Sequence, residues 1–477
     1  MWRARFRITR TKQPLKKEKR TTMKPMKNYL TYYFIGSLAA LILLITIFTP
    51  YATCRRQEIV VWHSMDSVLG NIFNELVETY NNQPEVITSK VKIVPVFKGN
   101  YDQSLEALCQ AAGTPQAPHA AQIFEMGTLV MHQKTDVHGH PLFKSLTQVM
   151  KSINSPLSEH NFVPSIGAFY KARASELLSL PFNASTVVLF YNKSKLDELG
   201  HKPPETWEEF EELAENINKP VGKRLLGAGW MHGHMIDQTA ARHNQPVATH
   251  GNGIDSNQAL LCLNTAFFID HLTSLQRWYE QGFLTLASGS QAETEFANED
   301  IIFLTQGANR LPILKSKIKT FEIGIAAFPY WAKHVDQPYN TIAGGASFWA
   351  INGYDDAIYR SLAHFFEYLV SVKTQMQWHL KSGYLPVIQK AHEAIYNEQS
   401  PYPNELAQQA ARIAFTSLFG DTVTENTRGI LLPRFNEIRK IMLDEMLAAI
   451  EGKRSPEEAL SNITELGNSL LTEVNES

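Results

Sequence analysis

An α/β fold, with strands and helices alternating around more than one core, is what this chain predicts, and three observations carry that expectation. Two apolar extended runs, 58–61 and 91–97, each give way to a polar loop, Trp62-His63-Ser64-Met65 and Lys98-Gly99-Asn100-Tyr101. The stretch between them is about one helix long, and this alternation builds a parallel or mixed sheet whose strand ends are the usual place for a ligand site. At 477 residues the chain exceeds what one hydrophobic core organises, so two packed domains plus extra segments are expected.

Each element follows from its own pattern. Residues 66–81 carry Val68, Leu69, Ile72, Phe73, Leu76 and Val77 at helical spacing, closed by Gln83-Pro84. Residues 101–112 repeat the arrangement, and 120–124 form a further strand ending on Glu125. Over 180–193 the pattern is a turn and then a buried strand, followed by a short helix at 194–199. Thr206-Trp207-Glu208-Glu209 is a capping box, in which Thr206 caps the helix and Glu209 returns the bond. A long helix is expected at 261–281, strands at 301–305, 323–328 and 346–351, and helices at 355–370 and 374–381. Ser455-Pro456-Glu457-Glu458 starts the last helix with a capping serine, a proline at the first position and an acid at the third. The weakest joints are the loops around His138, at 240–257 and at 398–404.

The composition, 44% hydrophobic and 19% charged, is that of an ordinary globular protein, but the N-terminus stands apart. Residues 1–53 hold eleven Lys/Arg and one Glu, including an uncharged apolar stretch at 32–48. Such a segment is an export signal or an N-terminal anchor. Tyr51-Ala52-Thr53-Cys54 matches a lipoprotein processing site only loosely, so cleavage and a retained anchor both stand, and Met23 or Met26 offers a start with a shorter basic flank. Subtracting the +10 of this segment from the formal net charge of −2 leaves −12 for the remainder. An acidic body argues against nucleic acid, because duplex binders present a basic face. Cys109 and Cys262 are either free or paired in an oxidising compartment.

Catalytic markers are lacking: G-x-S-x-G, Walker-type, H-E-x-x-H and C-x-x-C strings do not occur. His138/His140 and His232/His234 form two His-Gly-His strings. A metal needs three or four converging ligands, so these read as solvated loop histidines, and no metal or cofactor is expected. Gly344-Gly345-Ala346-Ser347 either brings backbone N–H groups close to an anion or makes a plain turn. Gly383 stops a helix and leaves Tyr384 just beyond it, either closing the core or reaching a cleft.

These strings, together with Glu125-Met126-Gly127-Thr128, Pro181-Phe182-Asn183-Ala184-Ser185-Thr186 and Ser382-Gly383-Tyr384-Leu385-Pro386, occur in the order and approximate spacing of one family. From about Glu58 onward the chain resembles the sn-glycerol-3-phosphate-binding proteins of bacterial ABC importers, within the larger class of extracellular solute-binding proteins. The resemblance implies a two-lobed periplasmic binding protein fold of the α/β class, with hinge strands and a ligand cleft between the lobes. The expected segments are the basic flank with its signal or anchor (1–53), the first lobe (54–165), the second lobe (166–307), a return to the first (308–370), and the second lobe with hinge-packing C-terminal helices (371–477).

The same resemblance implies the function. The expected ligand is glycerol 3-phosphate or a glycerophosphodiester, and the expected partners are ABC permease subunits with a separate ATPase. A monomer in the periplasm is expected, free or tethered to the inner membrane, with no cofactor and no covalent chemistry. Carried over residue by residue, the ligand-binding set is Tyr101, Glu125, Ser185, Gly345, Tyr384 and Arg439, with Trp230 along the glycerol carbons and Thr305 replacing one hydroxyl. A phosphate monoester carries about −1.5 to −2 charge near pH 7. Arg439, the Gly345 N–H and the Ser185 and Tyr384 hydroxyls would take it, while Glu125, helped by Tyr101, accepts from the glycerol hydroxyls.

Two departures bear on the ligand. Thr305-Gln306-Gly307 stands where the family has a serine pair before a glycine, and Met231-His232-Gly233-His234 and Arg242-His243 stand where it has further tryptophans. The wall at the glycerol end is therefore expected to be wider or differently charged, which brings in glycerophosphocholine as a competing ligand. An oligosaccharide is the remaining alternative and would require stacking aromatics and no indispensable arginine. Taken alone, Arg439 in Glu437-Ile438-Arg439-Lys440 reads as an exposed helical charge whose removal leaves folding intact.

Overall fold

The computed structural model describes residues 56–65, 67–171, 176–217, 223–397, 402, 405–419 and 423–476. The chain separates into two units, Met1–Arg56 and Gln57–Ser477, and the second carries both sheets. The expectations for residues 1–53 and Cys54, and for the 398–404 joint apart from Tyr402, lie outside the described residues. None of the described helices is long and apolar enough to cross a membrane.

β1 (Gln57–His63) pairs in parallel with β2 (Val91–Phe97), from Gln57 opposite Val91 to His63 opposite Phe97. Parallel neighbours need a crossover, which α1 (Ser67–Asn81) provides while burying Ile72, Phe73, Leu76 and Val77. α2 (Tyr101–Ala111) starts on a capping box in which the Asn100 side chain accepts from the Gln103 N–H and Gln103 returns a bond to the Asn100 N–H. β3 (Ala120–Phe124) then lies parallel to β1, with Val61 opposite Ala120. The short β4 (Phe143–Lys144) joins the same sheet further on.

The run read as a turn and one strand is in fact two strands. β5 (Leu180–Ser185) belongs to the first sheet and β6 (Val187–Asn192) to a second, with Thr186 as the passage between them. Both strands are buried along nearly their whole length, so no alternation of polar and apolar residues marks the break. The second sheet has the order β7-β8-β6-β9, with β7 (Leu226–Ala228), β8 (Phe303–Gly307) and β9 (Ile323–Ala327). β10 (Gly344–Ile351) completes the first sheet in the order β2-β1-β3-β10-β4, with β5 also paired to β10. It runs antiparallel to β3, Ala346 opposite Phe124, and to β5, Gly344 opposite Ser185.

Helices cover both sheets. α3 (Trp207–Asn216) starts on the expected Thr206/Glu209 box, the Glu209 N–H donating to the Thr206 hydroxyl at 3.1 Å. α4 (Ala266–Glu280) begins later than the 261 expected, because the chain pairs as a bridge at Leu261 and enters the helix through an extended Thr265. The other long helices are α5 (Gly289–Ala297), α6 (Asp356–Leu369), α7 (Val372–Ser382), α8 (Gln389–Asn397), α9 (Glu405–Phe419), α10 (Phe435–Ile450) and α11 (Pro456–Glu476), with shorter ones between them.

The sheets correct the expected segmentation. Leu180–Ser185, expected with the second lobe, lies in the first sheet, since β5 pairs with β10. The return expected from 308 comes only at Gly344, because β9 remains paired with β6. α7, expected beyond 371 with the second lobe, packs instead on α1, where Lys381 pairs with Glu75.

Strand alternation divides the interior. Val188 and Phe190 of β6 join a large core that also fills the first sheet, while Val187, Leu189 and Tyr191 face a second core built on Trp207, Phe210, Trp278 and Trp331. In the large core Phe73 stacks on Phe348 at 5.5 Å between centroids, and Phe182 lies 4.7 Å from Trp378. Phe182 is completely buried, so Phe182→Ala is expected to cost about 3–5 kcal/mol. The measurement is the denaturant midpoint at unchanged slope, and a loss under about 1 kcal/mol would contradict the packing described.

Three chain passages lie side by side: Thr186, the segment Asn340-Thr341 before β10, and Thr427 between α9 and α10. The Thr186 hydroxyl bonds the Thr341 hydroxyl at 2.6 Å, and the Asn340 amide donates to the Thr427 carbonyl at 3.1 Å. Cys109 and Cys262 are both free thiols.

Candidate functional site

β3 delivers Glu125 at its end, on a 3-10 turn, and β10 arrives antiparallel beside it. The Gly345 N–H donates to Glu125 Oε2 at 3.3 Å. Gly345 has φ +143°, and a Cβ there would stand 1.9 Å from the Asn183 carbonyl oxygen of β5, so only glycine fits. Tyr101, the first residue of α2, stacks on Phe124 at 5.3 Å and 11°. Tyr384 follows Gly383, whose φ of +78° ends α7, and its ring lies over Trp378 at 5.9 Å and 13°. The Tyr101 and Tyr384 side chains face each other, and burial holds both phenols above their ordinary range.

From the other side α10 presents Arg439, which is 8% exposed. Its Nη2 donates to Asp237 Oδ2 at 2.7 Å, and its guanidinium carbon lies 4.3 Å from the ring centres of both Trp230 and Phe435. Nη1 also contacts the Met126 sulfur. Glu125, Trp230, Asp237, Gln238, Gly344 and Arg439 together line a small cavity. Within it Asp237 Oδ1 and Arg439 Nε are buried without a partner.

Asp237 is a member that the sequence did not single out. It sits on a π-helical turn, Gly233–Gln238, a geometry that recurs at functional sites. The one signal for it is a lone carboxylate in the stretch between Trp230 and Arg242.

Other candidates are placed differently. Ser185 lies opposite Gly344, and its hydroxyl donates to Asn309 Oδ1 at 2.9 Å. Thr305 is completely buried, its hydroxyl 3.1 Å from His234 Nδ1, so a ligand has no access to it. Of the His232/His234 string, expected to be solvated, His234 is buried and His232 half-buried: burial, with Arg439 adding, lowers His232 to about 4, and burial lowers His234 to about 3. Both are neutral at pH 7. His138 and His140 are exposed, as expected.

The electrostatics are acid-rich. Burial raises the Glu125 carboxyl above the usual carboxylate range, with Arg439 opposing, and Asp237 is shifted the same way for the same reasons. A raised folded pKa contributes stability that is fully present below the ordinary carboxylate value and is lost as pH rises through the raised one. Unfolding free energy measured against pH is therefore expected to fall on leaving the ordinary carboxylate range, and Glu125→Gln is expected to flatten that fall. An unchanged slope in the variant would count against it.

Two sheets joined by passages, with charged and aromatic groups converging from both, define a class of protein that encloses a small solute. The chain belongs to the bacterial extracellular solute-binding proteins, whose family profile matches residues 75–404. It is similar to the sn-glycerol-3-phosphate-binding periplasmic protein UgpB of Yersinia pseudotuberculosis, 32% identical over 424 residues, which are 87% of this chain and 92% of that one. UgpB of Escherichia coli O6:K15:H31 is 31% identical over 415 residues, covering 86% of this chain and 91% of its own. Among solved structures, UgpB from Mycobacterium tuberculosis in complex with glycerophosphocholine superposes with a TM-score of 0.67 at 14% identity, over 88% of this chain and 99% of that one. The sugar-binding protein MalE from Xanthomonas citri superposes with a TM-score of 0.68 at 17% identity, over 88% and 98%. These structures share its fold.

Proposed function

We propose that this chain is the substrate-binding subunit of an ABC importer, capturing sn-glycerol 3-phosphate outside the inner membrane and delivering it to a permease whose ATPase is a separate chain. The observation that carries the reading is Arg439, a buried guanidinium in a cavity wall, held by Asp237 and by two aromatic faces. Positioned in this way it loses little freedom when it meets a phosphate, and low polarity strengthens the bond. The similarity to the UgpB relatives supports the ligand.

In this reading Arg439 takes the phosphate, with the Ser185 and Tyr384 hydroxyls and the Gly345 N–H turning to it as the cleft closes. Glu125 accepts from the glycerol hydroxyls, flanked by Tyr101, and Trp230 lies along the carbons. Thr305 acts through His234 by shaping the wall. The two sheets belong to two lobes, the first running to Ser185 and resuming at Gly344, and the lobes close by a hinge at the three passages. The N-terminal segment directs export or holds the protein at the membrane. The protein binds its ligand without changing it covalently.

A second reading, a glycerophosphodiester, is favoured by Asp237. Glu125 and Asp237 together outweigh Arg439 in charge, which suits a diester with one negative charge better than a monoester with nearly two. Calorimetric titration with glycerol 3-phosphate, glycerophosphocholine and maltose decides between them. Micromolar binding of the monoester, about −8 kcal/mol, is expected. Tighter binding of glycerophosphocholine selects the second reading, and binding of maltose alone overturns both.

A further inference from the structure

A second groove, apolar over much of its lining, shares no lining residue with the cavity at Arg439. Arg242, Gln337 and Tyr339 form part of its wall, and His392, Glu393 and Arg412, from α8 and α9, form another. Arg242 ends a short helix, Thr239–Arg242, directly after the π-helical turn, and is only 6% exposed. Its Nη1 donates to the Tyr339 carbonyl at 2.9 Å, and its guanidinium carbon stands 5.8 Å from the Tyr330 ring centre. Its Nε is buried with no partner.

No carboxylate pairs with Arg242 among the described residues. Other buried charges are treated differently: Arg439 has Asp237, and Glu293 has both Arg310 and Lys317. A buried guanidinium without a counter-ion is strongly unfavourable unless an anion is supplied from outside. Burial lowers the Arg242 pKa to about 10, so it remains charged at pH 7. Arg412, exposed and likewise without an ion pair among the described residues, lines the same groove, and Glu393 is its one acidic lining group.

We propose that this groove is a second binding site, for a small oxyanion of the phosphate class, held between Arg242 and Arg412 with the polar groups of Gln337 and Tyr339 beside it. Two guanidinium forks offer several N–H donors to an ion whose oxygens accept several bonds at once. Tyr339 runs directly into Asn340 and Thr341, whose hydrogen bonds tie the chain passages together, so an anion bound here braces that crossing.

Titrating the full chain with inorganic phosphate, in a buffer free of other oxyanions, tests this by calorimetry. Saturable binding with a dissociation constant on the order of 1 mM is expected, weakened at least tenfold in Arg412→Ala and in Arg242→Gln. Arg412 is exposed, so its variant folds even if the other does not. Binding of glycerol 3-phosphate is expected to be unchanged in Arg412→Ala, which separates this site from the cavity. Absence of saturable phosphate binding, or phosphate binding unaltered in Arg412→Ala, would overturn the proposal.

Discussion

Arg439→Ala is expected to abolish measurable binding of glycerol 3-phosphate and to lower folding stability by about 3–5 kcal/mol. The second half of that expectation departs from the sequence, in which Arg439 looks like an exposed helical charge. In the structure its removal strands Asp237, a buried carboxylate whose Oδ2 loses its donor while Oδ1 has none, and opens a gap between Trp230 and Phe435. Breaking a buried pair from one side costs more than the pair contributes, because the remaining charge is left uncompensated. The double variant Arg439→Ala/Asp237→Ala is therefore expected to recover part of the stability and none of the binding. Denaturant unfolding and calorimetry on the three proteins give both readouts. Affinity unchanged in Arg439→Ala would remove Arg439 from the site.

Gly345→Ala is expected to be nearly as damaging through a different cause. One added methyl group meets a carbonyl of the adjacent strand, at a backbone angle that side chains rarely adopt. Overpacking costs about 1–3 kcal/mol and a strained backbone about 1–3 more, unless β10 moves away from β5. If β10 moves, it takes with it the N–H that Glu125 accepts. A loss of about 3 kcal/mol and at least tenfold weaker binding are expected. Near-normal values for both would mean that β10 tolerates a register that the structure does not show.

What could be read in the sequence divides along physical lines. Local signals were legible: the Thr206/Glu209 box, the Gly383 helix stop and the helical spacing of residues 68–77 depend on neighbours in sequence, and each appears where expected. The family resemblance supplied the fold, two α/β lobes with hinge strands. Partition between the sheets was not legible. β5 and β6 are separated by one residue and buried on both faces, so neither length nor alternation divides them. β9 offers the same apolar run whichever sheet it joins.

At the candidate site, Tyr101, Glu125, Gly345 and Tyr384 were marked by strand ends and glycines, whereas Asp237 sits in a bulged helical turn that no periodicity announces. Thr305 shows the converse: a hydroxyl standing where the family has a serine looks available until the fold places His234 against it. Burial depends on what packs from elsewhere in the chain, and one sequence does not contain that information locally.

β10 is the strand that pairs with β3, β4 and β5 in the first sheet, and it is made last of these four. Gly345 reaches Glu125 across 220 positions of sequence. Until β10 emerges, β3 has a bare edge on that side and β5 lacks the partner that seats it, even though both were synthesised long before. Pairing over such separations makes folding slow, because the closure of a long loop must precede the contacts that stabilise it. The N-terminal half is therefore expected to remain unassembled through most of synthesis.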